Sequence, residues 1–229
     1  MNIKLDKTIS IIVPVYNEAA IIEKLIDNLS QFKDYCEIIF VDSDSSDGTD
    51  RIIEEKHRLV YSPEKGRSYQ MNYGATLAKG DIFLFLHADS VLPRNALSQI
   101  HQIISQGCKV GCFKMKFDSR NLLMKICGFM SNLRVRLRNI AFGDQGIFIS
   151  RSYFYELGGF SEIPLMEDYQ LSIDIKADGE KIALAKTKIK TSERRFLEMG
   201  RLKTMVKMQR LQYMYRKGEP IEVIANLYK

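Results

Sequence analysis

The stretch Asp81–Ser90, DIFLFLHADS, is an apolar run that ends abruptly at His87, Ala88 and Asp89. A carboxylate at the end of a buried strand can hold a divalent cation, and an imidazole can ligate such an ion or form hydrogen bonds. One carboxylate suffices where substrate phosphates and water supply the other ligands, because Mg²⁺ usually takes only one or two carboxylates. The chemistry of this stretch therefore depends on which other polar groups meet Asp89 at the strand end.

Two earlier segments repeat the pattern of an apolar run followed by polar residues. ISIIVPVY precedes Glu18 and a helix with apolar residues at helical spacing, and EIIFV precedes Asp42 and a turn rich in Asp and Ser. Strands that alternate with helices and are apolar on both faces predict a parallel sheet covered on both sides. Ligands bind at the carboxyl ends of the strands in such sheets, so these polar endings should face one crevice.

The chain from about residue 92 onwards has a less regular pattern. We expect a helix over 94–105, a strand over 110–117, a helical stretch over 121–138 and a strand around 182–185. We find no linker, repeat or low-complexity segment in the sequence. One domain over 1–229 is therefore predicted, in which 191–229 form a basic helical tail.

Composition limits the class of protein. Hydrophobic residues make up 45% of the chain, which is ample for a globular core. The four cysteines lie irregularly and lack zinc-site spacing, so we interpret them as reduced thiols of a cytoplasmic protein. The N-terminal stretch lacks a signal pattern, and no apolar run approaches the roughly 20 residues that cross a bilayer. The formal net charge of +6 favours anionic partners.

The loop after the first strand, YNEAA, is not Gly-rich, which disfavours a classical dinucleotide-binding dehydrogenase. Five stretches, in this order, resemble family 2 glycosyltransferases of the GT-A fold: ISIIVPVYNEAAIIEKLIDNL, EIIFVDSDSSDGT, KGRSYQMNYGATLAKGDIFLFLHADS, FGDQGIFISRSYFYELGGF and LMEDYQL. The resemblance implies an α/β, GT-A-like (Rossmann-like) mostly parallel sheet with helices on both faces. It also implies an enzyme that moves a single sugar, with inversion, from a nucleotide-diphosphate sugar to a hydroxyl acceptor.

On this resemblance, residues 1–91 form the nucleotide-binding half and residues 92–190 the acceptor half. The donor is expected to be a UDP-sugar, because Asp42 matches the aspartate that reads the base in relatives. Glu18 matches a residue that accepts hydrogen bonds from the ribose, and the bidentate fork of Arg67 suits a diphosphate or a base. The expected donor-binding residues are Pro14, Tyr16, Glu18, Asp42, Arg67, Asn72, His87 and Ala88.

The cation site is where the chain departs from the family. Relatives commonly end the fourth strand in Asp-x-Asp, whose carboxylates hold a divalent cation against the diphosphate, whereas this chain has Asp89 alone. The resemblance implies Mg²⁺ or Mn²⁺ as cofactor, with Asp89 as metal ligand. His87 could ligate Mn²⁺, could hydrogen-bond the ribose or diphosphate, or could simply pack at the strand end, and the sequence leaves these roles open.

The pair Glu167 and Asp168 in LMEDYQL matches the acidic pair that carries the catalytic base in the family. Inverting transfer needs a carboxylate on the acceptor side to take the hydroxyl proton, and the resemblance assigns this role to Asp168, with Glu167 positioning the base or the acceptor. Two acids at a helix start could also interact with the helix dipole alone. Asp144 and Gln145 of FGDQG offer groups that suit acceptor hydroxyls, although they also fit a plain turn.

The basic segment 194–217 allows three interpretations. It could be a helix that packs its apolar side on the domain, a helix on a membrane surface, or an anion-binding flank of the diphosphate site. The acceptor is unknown and could be lipid-linked, in which case the cytoplasmic protein would touch the inner face of the membrane peripherally. No nucleic acid is expected as a partner.

Two other functions remain open from the residues. A nucleotidyltransferase would share metal-bound nucleotide chemistry, but VPVYNEAA lacks the Gly-rich loop with Arg and Lys that it would need. A non-catalytic module could bind polyanions or membrane surfaces through the net positive charge. Such binding would be salt-sensitive and would survive the loss of Asp42, Asp89 and Asp168.

Overall fold

The computed structural model describes residues 7–228. Residues 1–6, the start of the stretch in which we found no signal pattern, and residue 229 lie outside this range. The strands are β1 (Ile9–Val15), β2 (Glu37–Asp42), β3 (Arg58–Tyr61), β4 (Ile82–Phe85), β5 (Ser90–Val91), β6 (Val110–Phe117), β7 (Ile147–Ser150) and β8 (Ala183–Thr191). The helices are α1 (Ala19–Ser30), α2 (Thr49–Glu54), α3 (Arg67–Leu77), α4 (Ala96–Ser105), α5 (Leu122–Arg138), α6 (Arg151–Glu156), α7 (Glu167–Ala177), α8 (Arg194–Glu198), α9 (Arg201–Arg216) and α10 (Ile221–Tyr228).

The strands form one eight-stranded sheet in the order β3-β2-β1-β4-β7-β6-β8-β5. Strands β3, β2, β1 and β4 are mutually parallel, as the strand–helix alternation predicts, and Val15 lies opposite Asp42 at their carboxyl ends. The second half is mixed, because β7 runs antiparallel to both β4 and β6 while β6 and β8 are parallel. The polar strand endings therefore reach one edge of the sheet.

Helices cover both faces of the sheet, as expected. Alternate residues of β1 point to opposite sides, with Ile11 in the core under α1 and α4 and Ile12 in the core under α3 and α7. This alternation follows from the two-residue period of a strand. Because both faces are buried, the parallel strands are apolar throughout their length.

The basic tail is helical, but it is not one helix. It breaks at Gly200, whose φ of 84° lies in the left-handed region that glycine adopts readily, and this separates α8 from α9. Leu211 of α9 and Ile224 of α10 are buried against Leu165 and Tyr169. The tail thus packs on the domain through an apolar side.

Two further features concern the cysteines and the length of the helices. The four cysteines, all within the described range, are unpaired thiols. Within residues 7–228, no helix has the length and apolar character needed to cross a membrane.

Candidate active site

Asp89 lies just beyond β4, at the carboxyl edge of the sheet, and its side chain is mostly buried. Its Oδ1 atom is inaccessible and has no hydrogen-bond partner among the described residues. Burial raises the pKa of this carboxyl, while the nearby charges of Arg195, Arg194 and Arg67 act in the opposite direction. Asp89 is therefore a buried acid that faces positive charge and has an oxygen without a protein donor.

His87 is a neutral group beside this acid. Burial sets the pKa of the imidazole well below its ordinary value, and the charges of Arg67 and Arg195 lower it further. The ring lies directly against Gly143, where any side chain would collide with Nε2. The glycine of FGDQG therefore makes room for His87.

Asp168 is the second residue of α7, after Glu167, and the helix follows Met166, whose backbone is in the left-handed conformation. Its Oδ2 accepts a hydrogen bond from the Gly143 amide at 2.7 Å, and its Oδ1 accepts one from Tyr169 N at 2.7 Å. Burial and the neighbouring Glu167 nevertheless raise the pKa of Asp168 to about 7. A carboxylate with this pKa can exchange a proton near neutral pH.

Glu167, the neighbour of Asp168 in the chain, forms an ion pair with Arg67. Glu167 is only 2% exposed, and its Oε1 lies 3.2 Å from Arg67 Nη1. Burial acts to lower the pKa of Arg67, but Glu167, followed by Tyr228, Asp168 and Asp89, outweighs it, and the pKa is raised. Arg67 is therefore a permanent cation, bound to Glu167 and near enough to Asp168 and Asp89 for their charges to act on it.

The short 3₁₀ turn Gly143–Gln145 brings Asp144 to the same cluster. Its Oδ1 is inaccessible and lacks a hydrogen-bond partner within the described chain. Burial raises the pKa of Asp144 to about 6; Arg134 opposes that shift and Asp89 adds to it. Gln145, by contrast, is fully buried. Its side-chain oxygen accepts hydrogen bonds from Arg134 and Phe142 N, and its amide nitrogen donates to Phe113 O. Gln145 therefore supports the turn from inside the protein.

The predicted nucleoside pocket lies at the ends of β1 and β2. Asp42 is fully buried, and its two oxygens accept hydrogen bonds from Ser45 N at 2.7 Å and Ser45 Oγ at 2.5 Å. Pro14 pairs with Val41 in the sheet register, and Tyr16 is half exposed at the mouth of the loop. A nucleobase that donates a hydrogen bond to Asp42 must therefore share the Asp42 carboxylate oxygens with Ser45.

Two of the predicted donor-binding residues have structural partners. Asn72 holds the loop before α7, because its side chain donates to Phe160 O at 2.8 Å and accepts from Phe160 N at 2.9 Å. Ala88 is buried in the core under α1 and α4, so only its backbone can face the crevice. The structure thus brings together His87, Asp89, Arg67, Asp144, Glu167 and Asp168, and places Asn72 and the Ala88 side chain outside this cluster.

Three arginines that we had not assigned individually also reach the site. Arg134 of α5 stacks its guanidinium 3.9 Å from the centre of the Phe142 ring and donates to Gln145. Arg194 of α8 pairs with Glu18 at 3.0 Å, and Arg195 lies close enough to lower the pKa values of His87 and Asp89. The basic composition of 194–217 was the signal for the last two, under the anion-flank interpretation.

A cleft of about 370 Å³ lies between α8 and the strand ends. Asp89, Ser192, Arg194 and Leu197 are among the residues that line it. Both acids and fixed cations therefore border a space next to Asp89, an arrangement that suits a phosphorylated ligand and its counter-ion.

Comparison with known proteins supports the sequence resemblance. The Glycosyl transferase family 2 model matches residues 10–158. A probable glycosyltransferase of Sulfolobus acidocaldarius is 36% identical over 127 residues, which cover 49% of this chain and 27% of that protein. The chain spans only about a quarter to a half of the length of such curated relatives.

Two solved glycosyltransferases share the fold. The mannosyltransferase PcManGT of Pyrobaculum calidifontis, in complex with GDP-Man and Mn²⁺, aligns with a TM-score of 0.62 at 22% identity over 80% of this chain and 56% of that one. S. aureus TarS in complex with UDP-GlcNAc aligns with a TM-score of 0.64 at 20% identity over 81% and 58% of the two chains. The α/β sheet is thus a GT-A fold, and the chain belongs to glycosyl transferase family 2.

Proposed function

We propose that this protein transfers a single sugar, with inversion, from a nucleotide-diphosphate sugar to a hydroxyl acceptor, and that Asp168 is the general base. The observation that carries the proposal is the position of Asp168, whose pKa is raised to about 7, in one buried cluster with Asp89 and Arg67. In this reaction the acceptor oxygen bonds to the anomeric carbon as the bond to the diphosphate breaks. The hydroxyl proton passes to a carboxylate oxygen of Asp168.

The chain's own groups prepare this step. The Gly143 amide fixes the orientation of Asp168, and Glu167 raises the basicity of Asp168 while it holds Arg67 in place. Asp144, with its unpartnered oxygen, is suited to accept a hydrogen bond from an acceptor hydroxyl or to face the counter-ion of the diphosphate. We assign Gln145 and Asn72 to support of the turn and loop around the site, on the basis of their hydrogen bonds.

A divalent cation fits the residues present. Asp89 supplies a hard oxygen ligand without a protein donor, and Asp144 supplies a second one near it, which suits Mg²⁺ or Mn²⁺. Among the described residues no three His, Cys, Asp or Glu side chains form a ready metal site. Substrate phosphate and water would complete the coordination. When bound, the cation would neutralise charge on the departing diphosphate. Arg194 and Arg195 can add to this neutralisation.

The donor is proposed to be a UDP-sugar, with Asp42 at the base and Glu18 at the ribose. PcManGT was solved with GDP-Man and TarS with UDP-GlcNAc, so the shared fold accommodates different bases. Pro14 and Tyr16 would form the wall of the nucleoside pocket. We further propose a cytoplasmic enzyme with peripheral contact to the membrane and a lipid-linked hydroxyl acceptor.

The test is a donor and metal screen with a matched pair of variants. Release of nucleoside diphosphate is measured from a panel of nucleotide sugars, with and without Mn²⁺, and thermal shift reports donor binding. Asp168→Asn should lose transfer by at least about a thousandfold, in line with removal of a general base, while donor binding stays near that of the wild type. Asp174→Asn, later in the same helix, is the control and should remain active. Equal activity of Asp168→Asn and wild type would overturn the assignment.

A further inference from the structure

Helix α5 packs with its apolar side facing outwards. Six of the sixteen exposed large apolar side chains in the described range lie on this one helix. Phe129 is 65% exposed, Leu122 70% and Leu137 74%. The set on α5 consists of Leu122, Leu123, Ile126, Phe129, Met130 and Leu137. Their spacing places them on one stripe of the helix, since residues three, four and seven apart share a face.

The inward side of α5 explains why this orientation is fixed. Its buried residues are Met124, Gly128, Ser131 and Val135, a set with two small side chains. Asn132 ties the helix to β6, because its side chain accepts from Met115 N at 2.8 Å and donates to Met115 O at 3.1 Å. A rotation that buried the apolar stripe would break both hydrogen bonds.

The charged residues of the chain segment that carries the stripe are all of one sign. Between residues 119 and 142 there are five cations and no Asp or Glu. Lys125, Arg136 and Arg138 are exposed on the helix itself. This combination of an apolar stripe with basic flanks is the pattern of helices that lie in the interface of anionic membranes. Two copies of α5 packed on each other would instead bring their cations together.

We propose that α5 is a membrane-docking helix, which inserts its outward apolar stripe at the surface of an anionic lipid bilayer while Lys125, Arg136 and Arg138 face the lipid phosphates. The helix has 17 residues, so about 25 Å of its length would lie along the bilayer surface.

Docking through α5 would place the active site at the lipid surface. Arg134, on the same helix, reaches Gln145 and the Phe142 ring beside the turn that carries Asp144. The acceptor part of the crevice therefore lies next to the carboxyl end of α5. This step rests on the proposed function, and it identifies the acceptor class as a hydroxyl on a lipid carried in that bilayer.

The experiment measures binding of the purified protein to sedimented vesicles without any sugar nucleotide. Vesicles of phosphatidylcholine alone are compared with vesicles that also contain phosphatidylglycerol, at low and high salt. Wild type should bind the anionic vesicles, and salt should weaken this binding. Phe129→Ser combined with Leu137→Ser should lower the partition coefficient by at least about tenfold, because two buried apolar side chains are lost.

Three comparisons make the result decisive. Tyr35→Ser, which removes an aromatic side chain that is 69% exposed outside α5, should bind like wild type. Leu202→Ser combined with Val206→Ser, on the exposed side of α9, should also retain binding; loss of binding in this variant alone would assign the membrane surface to α9 and overturn the proposal. Three other outcomes would also overturn the proposal. The α5 variant could bind as well as wild type, or wild type could fail to bind. Sedimentation could also show a wild-type dimer that the α5 variant converts to a monomer. Nucleotide binding, measured by thermal shift, should be unchanged in the α5 variant. The vesicle-binding result can therefore be interpreted even if the protein fails to catalyse the proposed transfer.

Discussion

The three aspartates of the crevice carry the same chemical group in three different environments. Asp168 accepts two backbone hydrogen bonds that favour its charged form, yet burial and the adjacent Glu167 outweigh them. Asp144 and Asp89 each have an oxygen without a donor in the described chain, so burial dominates their titration. Raised pKa values in a cleft beside fixed cations are typical of functional carboxylates.

The pH dependence of transfer should report Asp168. Because a general base must be ionised, kcat/KM should fall about tenfold per pH unit below pH 7, the pH to which the pKa of Asp168 is raised. Glu167→Gln removes a negative charge that raises this pKa and frees Arg67 to act on Asp168, so both effects shift the acidic limb to lower pH. The measurement is the pH profile of kcat/KM for both proteins. An unmoved limb, whatever the absolute rate, would contradict the role given to Glu167.

Gly143 should be intolerant of a side chain because of His87. A Cβ at this position would collide with the imidazole, and overpacking of this kind costs about 1–3 kcal/mol. We therefore expect Gly143→Ala to lower the melting temperature, and Gly143→Ala combined with His87→Ala to recover most of the loss. Gly128→Ala is the control, since a Cβ there meets Met115 O at 3.5 Å and alanine favours the helix. A double variant no more stable than Gly143→Ala would show that the collision is not the cause.

The family resemblance predicted acids that the structure brings together in the crevice, but it did not predict which polar groups serve the fold. Asn72 and Gln145 have side chains suited to substrate hydroxyls, and both bind backbone or protein side chains instead. Such partners lie far apart in the sequence, 88 residues in the case of Asn72 and Phe160. An amide group offers the same donors and acceptors in both roles, so only the fold distinguishes them.

At the scale of elements, local periodicity predicted the strand–helix alternation up to β4 and the helix over residues 121–138 closely. The antiparallel insertion of β7 between β4 and β6 was not predicted, because strand order depends on contacts between distant segments. For α5 the spacing predicted a helix but not its orientation. Asn132 and the small residues hold the opposite side of the helix inwards, so the apolar stripe faces outwards.

Helix α8 links the two halves of the crevice through Arg194 and Glu18, and carries Arg195 towards Asp89. The exposed Arg194–Glu18 ion pair contributes little stability, about 0.2–1 kcal/mol. Arg195 lies over the Tyr228 ring, 5.0 Å from its centre. We expect both arginines to matter mainly for the ligand. We expect Arg195→Ala to weaken binding of UDP by about tenfold and binding of uridine by much less, because a charge-assisted contact to phosphate is lost. Isothermal titration of both ligands measures this. Arg210→Ala, exposed on α9, is the control; an equal loss for UDP and uridine would place Arg195 away from the phosphates.

Over the whole molecule, the sheet unites a regular parallel half with a mixed half, and the buried charges collect where the two meet. Glu18, Asp42 and Asp89 come from the parallel half, whereas Asp144 comes from the turn before β7 and Asp168 from the first turn of α7. Polar groups without partners lower the stability of the ligand-free protein. The unpartnered groups of the crevice therefore lower the stability of the protein and leave it able to bind a charged ligand.

This trade predicts how stability responds to pH. The pKa of Asp144 is raised to about 6 in the folded protein, so its contribution to stability is present below its unfolded pKa of about 4 and is lost as pH rises to about 6. In the absence of metal and nucleotide, Asp144→Asn should therefore be more stable than wild type at pH 8, by on the order of 2 kcal/mol, and the difference should shrink as pH falls from 6 to 4. Asp118→Asn is the opposite case, because a hydrogen bond from Lys190 lowers the pKa of Asp118. Loss of the Asp118 carboxylate should therefore lower stability above about pH 4. Melting temperatures across this pH range measure both effects. If wild type is at least as stable as Asp144→Asn at pH 8, Asp144 has a partner in the ligand-free protein. Its carboxylate would then not be free to bind a ligand.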